Sequence, residues 1–213
     1  MSFGTYARKV RDRSLPYGLR VSALRSCVQL YRPIGFHATL SFLAEIAGPY
    51  QRDEGALLRA LDAIEASRAR WHAEVRDYAH RRRRAKRRGQ RVPPVGETNP
   101  NGSPRIWYGA ARQAALSALR YWSRGRLPAL TATGDRTANT IDTLVAAALS
   151  SGGDLTAEQR QLLAVAVAEL RQRMPGLWSD DQVGYFRALD LFRVAYLVET
   201  AGDDGQPRPS SAG

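Results

Sequence analysis

The chain reads as all-α, a helical bundle of about seven helices, on three observations. One long stretch repeats its packing positions at spacings of three and four. Most other apolar runs are bracketed by residues that start and stop helices, and no segment shows the two-residue alternation of a strand. At 213 residues, with 44% hydrophobic and 24% charged side chains, the composition is globular and allows one large or two small domains.

The long stretch runs from Asp53 to Arg88. Its seam positions are Leu57, Leu61, Ile64, Arg68, Trp71, Val75, Tyr78 and Arg82. A straight helix repeats every ~3.6 residues, so this alternation predicts a helix packed along its length against another. At 1.5 Å per residue the element would be about 50 Å long. Asp53 suits the N-cap, and Gly89 suits the stop.

Before it, residues 1–15 are polar and basic with little periodicity. Pro16 opens a predicted helix to about Tyr31, ended by Pro33, and a second runs from Phe36 to the stop at Gly48-Pro49. With the long helix these form an N-terminal three-helix part, residues 1–88. Residues 89–103, GQRVPPVGETNPNGS, read as a Pro/Gly-rich linker or loop.

Residues 104–201 are expected to form a four-helix unit. Ser103-Pro104 opens its first helix, to about Arg124, and Thr137 to Leu149 is the second. The third starts on the capping-box spacing of Thr156 and Gln159 and ends at Met174-Pro175-Gly176. Ser179 with Gln182 repeats that spacing and opens the fourth, to about Thr200. This last helix is apolar on most sides and is expected to be the buried centre of its unit. Residues 202–213 read as a disordered tail.

Charge is unevenly spread over the net +12. Residues 1–100 hold 20 Lys/Arg against 9 Asp/Glu, whereas residues 101–213 hold 12 against 11. Only Lys9 and Lys86 are lysines, a bias that a GC-rich coding sequence would produce by itself. That bias does not explain why acids fail to keep pace in one half only, so the asymmetry points to a polyanionic partner.

The densest charge is Arg81, Arg82, Arg83, Arg84, Lys86, Arg87, Arg88 and Arg91, eight cations in eleven residues at the end of the long helix. Guanidinium pairs bidentately with phosphate, and each phosphate neutralised releases counter-ions, so the pattern predicts contact with nucleic acid, DNA or RNA. A solvated helix end, or a face that docks an acidic protein, would carry the same charges. Arg105 and Arg112, on one side of the predicted 104–124 helix, are candidate outer contacts. The other side of that helix, Trp107, Ala110, Ala111, Ala114, Ala118, Tyr121 and Trp122, reads as core rather than as a base-stacking platform.

The remaining residue types point away from chemistry. His72 and His80 are too far apart in sequence to share a metal on one helix, and His72-Ala73-Glu74 lacks the cysteine half of a deaminase signature. Cys27 sits among apolar residues and reads as a small core hydrophobe; a single cysteine fits a reducing cytosol. Asp180-Asp181, the Arg187, Asp190, Arg193 ladder and the Thr131–Thr137 loop have structural explanations in capping and ion pairing. No phosphate-loop, dinucleotide, nucleophile-elbow or zinc-protease motif occurs. There is no bilayer-spanning apolar run and no secretory signal.

The sequence therefore predicts a cytoplasmic, non-catalytic nucleic-acid-binding protein of weak sequence specificity, without metal or cofactor and without membrane attachment. The competing class is a helical adaptor or assembly subunit. Its basic run would dock an acidic protein, or its seam would form a homodimer through the long helix, where Arg68 is the charged seam position to watch.

Overall fold

The computed structural model describes residues 1–94, 99–101, 106–132 and 134–202. Among them all the regular structure is helix, with nine helices and no strand. In order they are α1 (Phe3–Arg11), α2 (Tyr17–Tyr31), α3 (Phe36–Ala47), α4 (Glu54–Arg87), α5 (Ala111–Arg124), α6 (Leu127–Thr131), α7 (Arg136–Ser150), α8 (Ala157–Asp180) and α9 (Gln182–Gly202). The count exceeds seven because α1 and the one-turn α6 carry little periodic signal. Two compact units result, Met1–Gly109 and Ala110–Gly213.

In the first unit α1, α2 and α3 all pack on α4. Ser2 caps α1 by accepting from the Thr5 N–H, and Phe3, Ala7 and Val10 turn one face inward. Asp53 caps α4, its carboxylate accepting from the N–H groups of Gly55 and Ala56. Leu57, Leu61 and Ile64 are fully buried beside Leu24, Val28, Phe42 and Leu43. This half of the predicted seam is thus closed by the unit's own helices. Arg68, the charged seam residue, lies over the Phe3 ring at 4.5 Å. Cys27 is buried as expected, and burial pushes its thiol up to about 12.

One buried cation ties the start of α4 to the first two helices. Arg20, on α2, donates from Nε to the Val10 carbonyl at 2.8 Å. Its Nη2 lies 2.9 Å from Glu54 Oε1, the oxygen that also takes Arg13 Nε at 3.0 Å. The hydrogen bond from Arg20 holds the Glu54 carboxyl below the usual carboxylate range, with Arg13 adding to it.

The stretch read as a linker or loop, residues 89–103, falls within this unit. After Arg88 the described residues of this stretch, 89–94, 99–101 and 106–109, turn back along α4 as a strap. Trp71 Nε1 donates to the Pro100 carbonyl at 2.9 Å, and the Tyr108 N–H donates to Ser67 Oγ at 3.0 Å. The same Ser67 oxygen shares a 3.0 Å hydrogen bond with the buried Tyr31 hydroxyl. Trp107 is buried edge-on against Phe42, ring centroids 4.9 Å apart. The expected helix start at Ser103-Pro104 is corrected here: Ser103 and Pro104 lie outside the described residues, and α5 begins at Ala111. Trp107 cannot stay on the helix because its ring completes the first unit's core.

In the second unit α9 packs against α5, α7 and α8 and is its centre, as its all-round apolar sequence predicts. The Thr156–Gln159 capping box is present on α8. The second box, Ser179 with Gln182, is not used. Helix α8 runs through Pro175 to Asp180 on an exposed face, where water can serve the carbonyl the proline leaves unpaired. Asp181 then caps α9 by accepting from the Gly184 N–H at 2.9 Å. The loop before α7 is likewise a cap: Asp135 accepts from the Thr137 N–H and pairs with Arg173 at 3.0 Å. Residues 203–213, most of the expected tail, lie outside the described residues.

Candidate nucleic-acid interface

The end of α4 is positioned by a buried face and a strap. At 100° per residue, Trp71, Val75, Tyr78, Arg82 and Ala85 share one side of the helix. Trp71, Val75 and Tyr78 are half-buried, while Arg82 and Ala85 are buried. Arg82 faces the returning chain, its Nη2 donating to the carbonyls of Gln90 at 3.2 Å and Arg91 at 3.0 Å. The Gln90 N–H in turn donates to the Ala85 carbonyl. Arg82 therefore fastens the turn that ends α4, and it is corrected from a phosphate contact to a structural tie. A buried guanidinium satisfied by two carbonyls would lose both bonds in reaching solvent.

The other cations of the run point outward. Arg81, Arg83, Arg84, Lys86, Arg87, Arg88 and Arg91 are all exposed. Among the described residues no carboxylate lies within ion-pair distance of any of them; the ion pairs of this unit gather instead around Arg11, Arg13, Arg20 and Arg59. The helix dipole explains only part of this. Cations in a last turn gain about 0.3–1 kcal/mol each. Five like-charge neighbours at i,i+3 or i,i+4 within the exposed run return about 1–2.5 kcal/mol of repulsion. Folding stability gives no net reason to gather these charges.

Two further side chains join the surface that sequence reasoning passed over. Arg76 and His80 are exposed and, with Arg83 and Arg87, form a stripe at spacings of four, three and four. Arg81, Arg84 and Arg88 form the adjoining flank of the same arc, Arg84 about 40° from His80. That flank also carries the exposed acids Glu74 and Asp77. The i,i+4,i+7 spacing of the first stripe was the available signal, hidden because His80 is uncharged in the formal count.

Of the second predicted patch, only Arg112 is described. Arg105 lies outside the described residues. Arg112 is engaged inside the second unit, where Nε donates to the Gly152 carbonyl at 3.0 Å and Nη2 to Asp154 at 2.7 Å. It is a tie for the α7–α8 turn rather than an outer phosphate contact. Arg126 similarly faces Asp190 at 3.6 Å, and Asp190 also takes Arg193 at 2.8 Å.

The split of charge follows the two units. Residues 1–109 hold 21 Lys/Arg and 9 Asp/Glu, while residues 110–213 hold 11 of each, so the whole excess of +12 lies in the unit that bears α4. Among the described residues no group of three or more His, Cys, Asp and Glu is placed to hold a metal, and no helix is long and apolar enough to cross a membrane. A groove of about 350 Å³ lies on α2 and the start of α3, lined by Gly18, Ser22, Arg25 and Phe36 among others, apart from the arginine stripes.

Arg82 and its neighbours separate cleanly by experiment. Arg82→Ala is expected to cost about 1–3 kcal/mol in urea unfolding, through two carbonyls left without their donor. Arg83→Ala is expected to cost less than about 0.5 kcal/mol, as an exposed change does. Equal costs would mean that Arg82 does not fasten the strap.

Comparison with known proteins adds no relative: no family model matches the chain, and neither a curated protein nor a solved structure matches it.

Proposed function

We propose that the chain is a non-catalytic nucleic-acid-binding protein that holds phosphates on the solvent face of the end of α4. The observation that carries this reading is the set of seven exposed cations, Arg81, Arg83, Arg84, Lys86, Arg87, Arg88 and Arg91, gathered on one helix end without acidic partners among the described residues. Arginine beside arginine is unfavourable until a polyanion displaces the counter-ions that would otherwise screen it. The exposed residues between Glu74 and Arg88 include no Asn or Gln to read adenine edges, so base contacts from this surface would be limited to guanine through Arg.

A second reading, a helical adaptor, is favoured by a different feature. Trp178, Val183 and Phe186 are 57%, 71% and 57% exposed around the α8–α9 turn, in the unit without net charge. Assembly through the first half of the α4 seam has lost its support, since Leu57, Leu61 and Ile64 are fully buried. An acidic protein on the basic end is the version of this reading that competes directly.

Titrating the full chain into labelled DNA and RNA at several salt concentrations tests the proposal. Micromolar or tighter binding is expected, with log K falling by about 0.9 per phosphate contact for each decade of salt. No binding to any nucleic acid at low salt would overturn it in favour of the acidic protein partner.

A further inference from the structure

Resting on that reading, we infer that the ligand of the basic helix end is a B-form DNA duplex, entered through its major groove. Three observations converge. The first is the breadth of the charged face. With Arg82 on the strap side, a turn of 100° per residue places Arg76, Arg83 and Arg87, with His80, on one flank and Arg81, Arg84 and Arg88, with the acids Glu74 and Asp77, on the other, the cations forming the two sides of one arc of about 160°. A single strand offers one line of phosphates and would neutralise one flank. A groove offers two lines, one on each wall.

Size is the second. A helix with its side chains is about 10–12 Å across, and the major groove of B-DNA is about 12 Å wide, whereas the A-form RNA major groove is deep and too narrow for side chains to read. From Arg76 to Arg88 the helix advances about 18 Å, close to half of the ~34 Å turn of a duplex. The strap lies on the face opposite the arc and would stay outside the groove.

The third is what the surface lacks. Proteins that hold single strands stack bases on exposed aromatic rings, at about 1–3 kcal/mol per base. Here Trp71 is half-buried, packed against Tyr31 and His72 with its N–H on the Pro100 carbonyl. Tyr78 is half-buried on the strap side, and among the described residues from 71 to 94 no Phe, Tyr or Trp is exposed. The arginines have phosphates to reach and no platform for bases beside them.

The test is a titration of the full chain against a DNA duplex of about two turns, the same sequence as a single strand, and the same sequence as an RNA duplex. The DNA duplex is expected to bind at least about tenfold tighter than either at ~0.1 M salt. Two double variants, Arg83→Ala with Arg87→Ala and Arg81→Ala with Arg88→Ala, are each expected to flatten the salt slope on duplex DNA by about 2, since both flanks touch phosphate. All four residues are exposed, so thermal unfolding should match the unsubstituted chain and serves as the control for folding. Equal or tighter binding of the single strand or the RNA duplex would overturn the groove assignment while leaving nucleic-acid binding intact. So would a slope change from only one of the two variants. Absence of binding to all three overturns the underlying reading instead.

Discussion

Glutamate at Arg81, Arg83, Arg84 and Arg87 together is expected to lower the affinity for duplex DNA by at least about 100-fold at 0.1 M salt. Each phosphate contact contributes nearly one power of the salt concentration, so losing even two or three at this salt removes two or more decades, and reversed charges then repel the backbone. The four positions are exposed and have no ion-pair partner among the described residues, so no internal contact is lost with them. Arg82 is left in place because its guanidinium fastens the turn to Gln90 and Arg91, and including it would mix unfolding with lost binding. Binding should fall alike on unrelated sequences. A loss of less than about threefold, or a loss confined to one sequence, would mean that the phosphate model is wrong.

Gly153→Ala is expected to destabilise the second unit by about 3–5 kcal/mol, combining a strained backbone with an overfilled contact. Gly153 has φ +107°, a region that L side chains rarely adopt, and its N–H donates to the Ala148 carbonyl at 2.7 Å. A Cβ there would be driven into the backbone carbonyl oxygen of Ala201, near the end of α9, with Arg112 Nε close on the other side. Backbone cannot rotate away as a side chain can, and α9 is the helix on which α5, α7 and α8 all pack. At about 4–8 °C per kcal/mol for a unit of this size, the thermal midpoint should fall by 12 °C or more. Gly152→Ala is the matched control: φ is +68° but nothing lies within 4 Å of its Cβ, so only the left-handed backbone, about 1–2 kcal/mol, is at issue. A Gly153→Ala melt no lower than that of Gly152→Ala would show that the contact with Ala201 can relax.

Those two glycines illustrate where sequence reading stops. A Gly-Gly pair such as Gly152-Gly153 after α7 is a helix stop that local chemistry explains, but which of the two lies against α9 depends on a contact between residues almost fifty positions apart. Local chemistry was legible: the Asp53 cap, the Thr156–Gln159 box and the buried face Leu57, Leu61, Ile64 all follow from spacing within one helix. Helix α1 had the same kind of signal in Phe3, Ala7 and Val10, but only three positions of it, against a background of basic residues. Competing caps were not legible. Ser179 and Asp181 are both good N-cap residues, and the choice of Asp181 depends on α8 continuing past Pro175. Nor could the basic run be sorted into seven outward cations and one inward, because Arg82 is set apart from its neighbours by carbonyls that the returning chain brings to it.

The strap over α4 changes what its composition means. Pro93, Pro94 and Pro100 restrict the unfolded chain, so fewer conformations are given up when residues 90, 91, 100 and 108 are brought to the helix. The ties are nested, Arg82 to residues 90 and 91, Trp71 to Pro100, and Ser67 to Tyr108, so each closure shortens the loop that the next must close. A fragment trimmed at Arg88, where the residues change character, would strip Trp107 from Phe42, the Tyr108 N–H from Ser67 and the Pro100 carbonyl from Trp71. The natural end of the first folding unit is Gly109. The stretch that looks most dispensable in the sequence supplies the carbonyls and the N–H that hold Arg82, Trp71 and Ser67 in place.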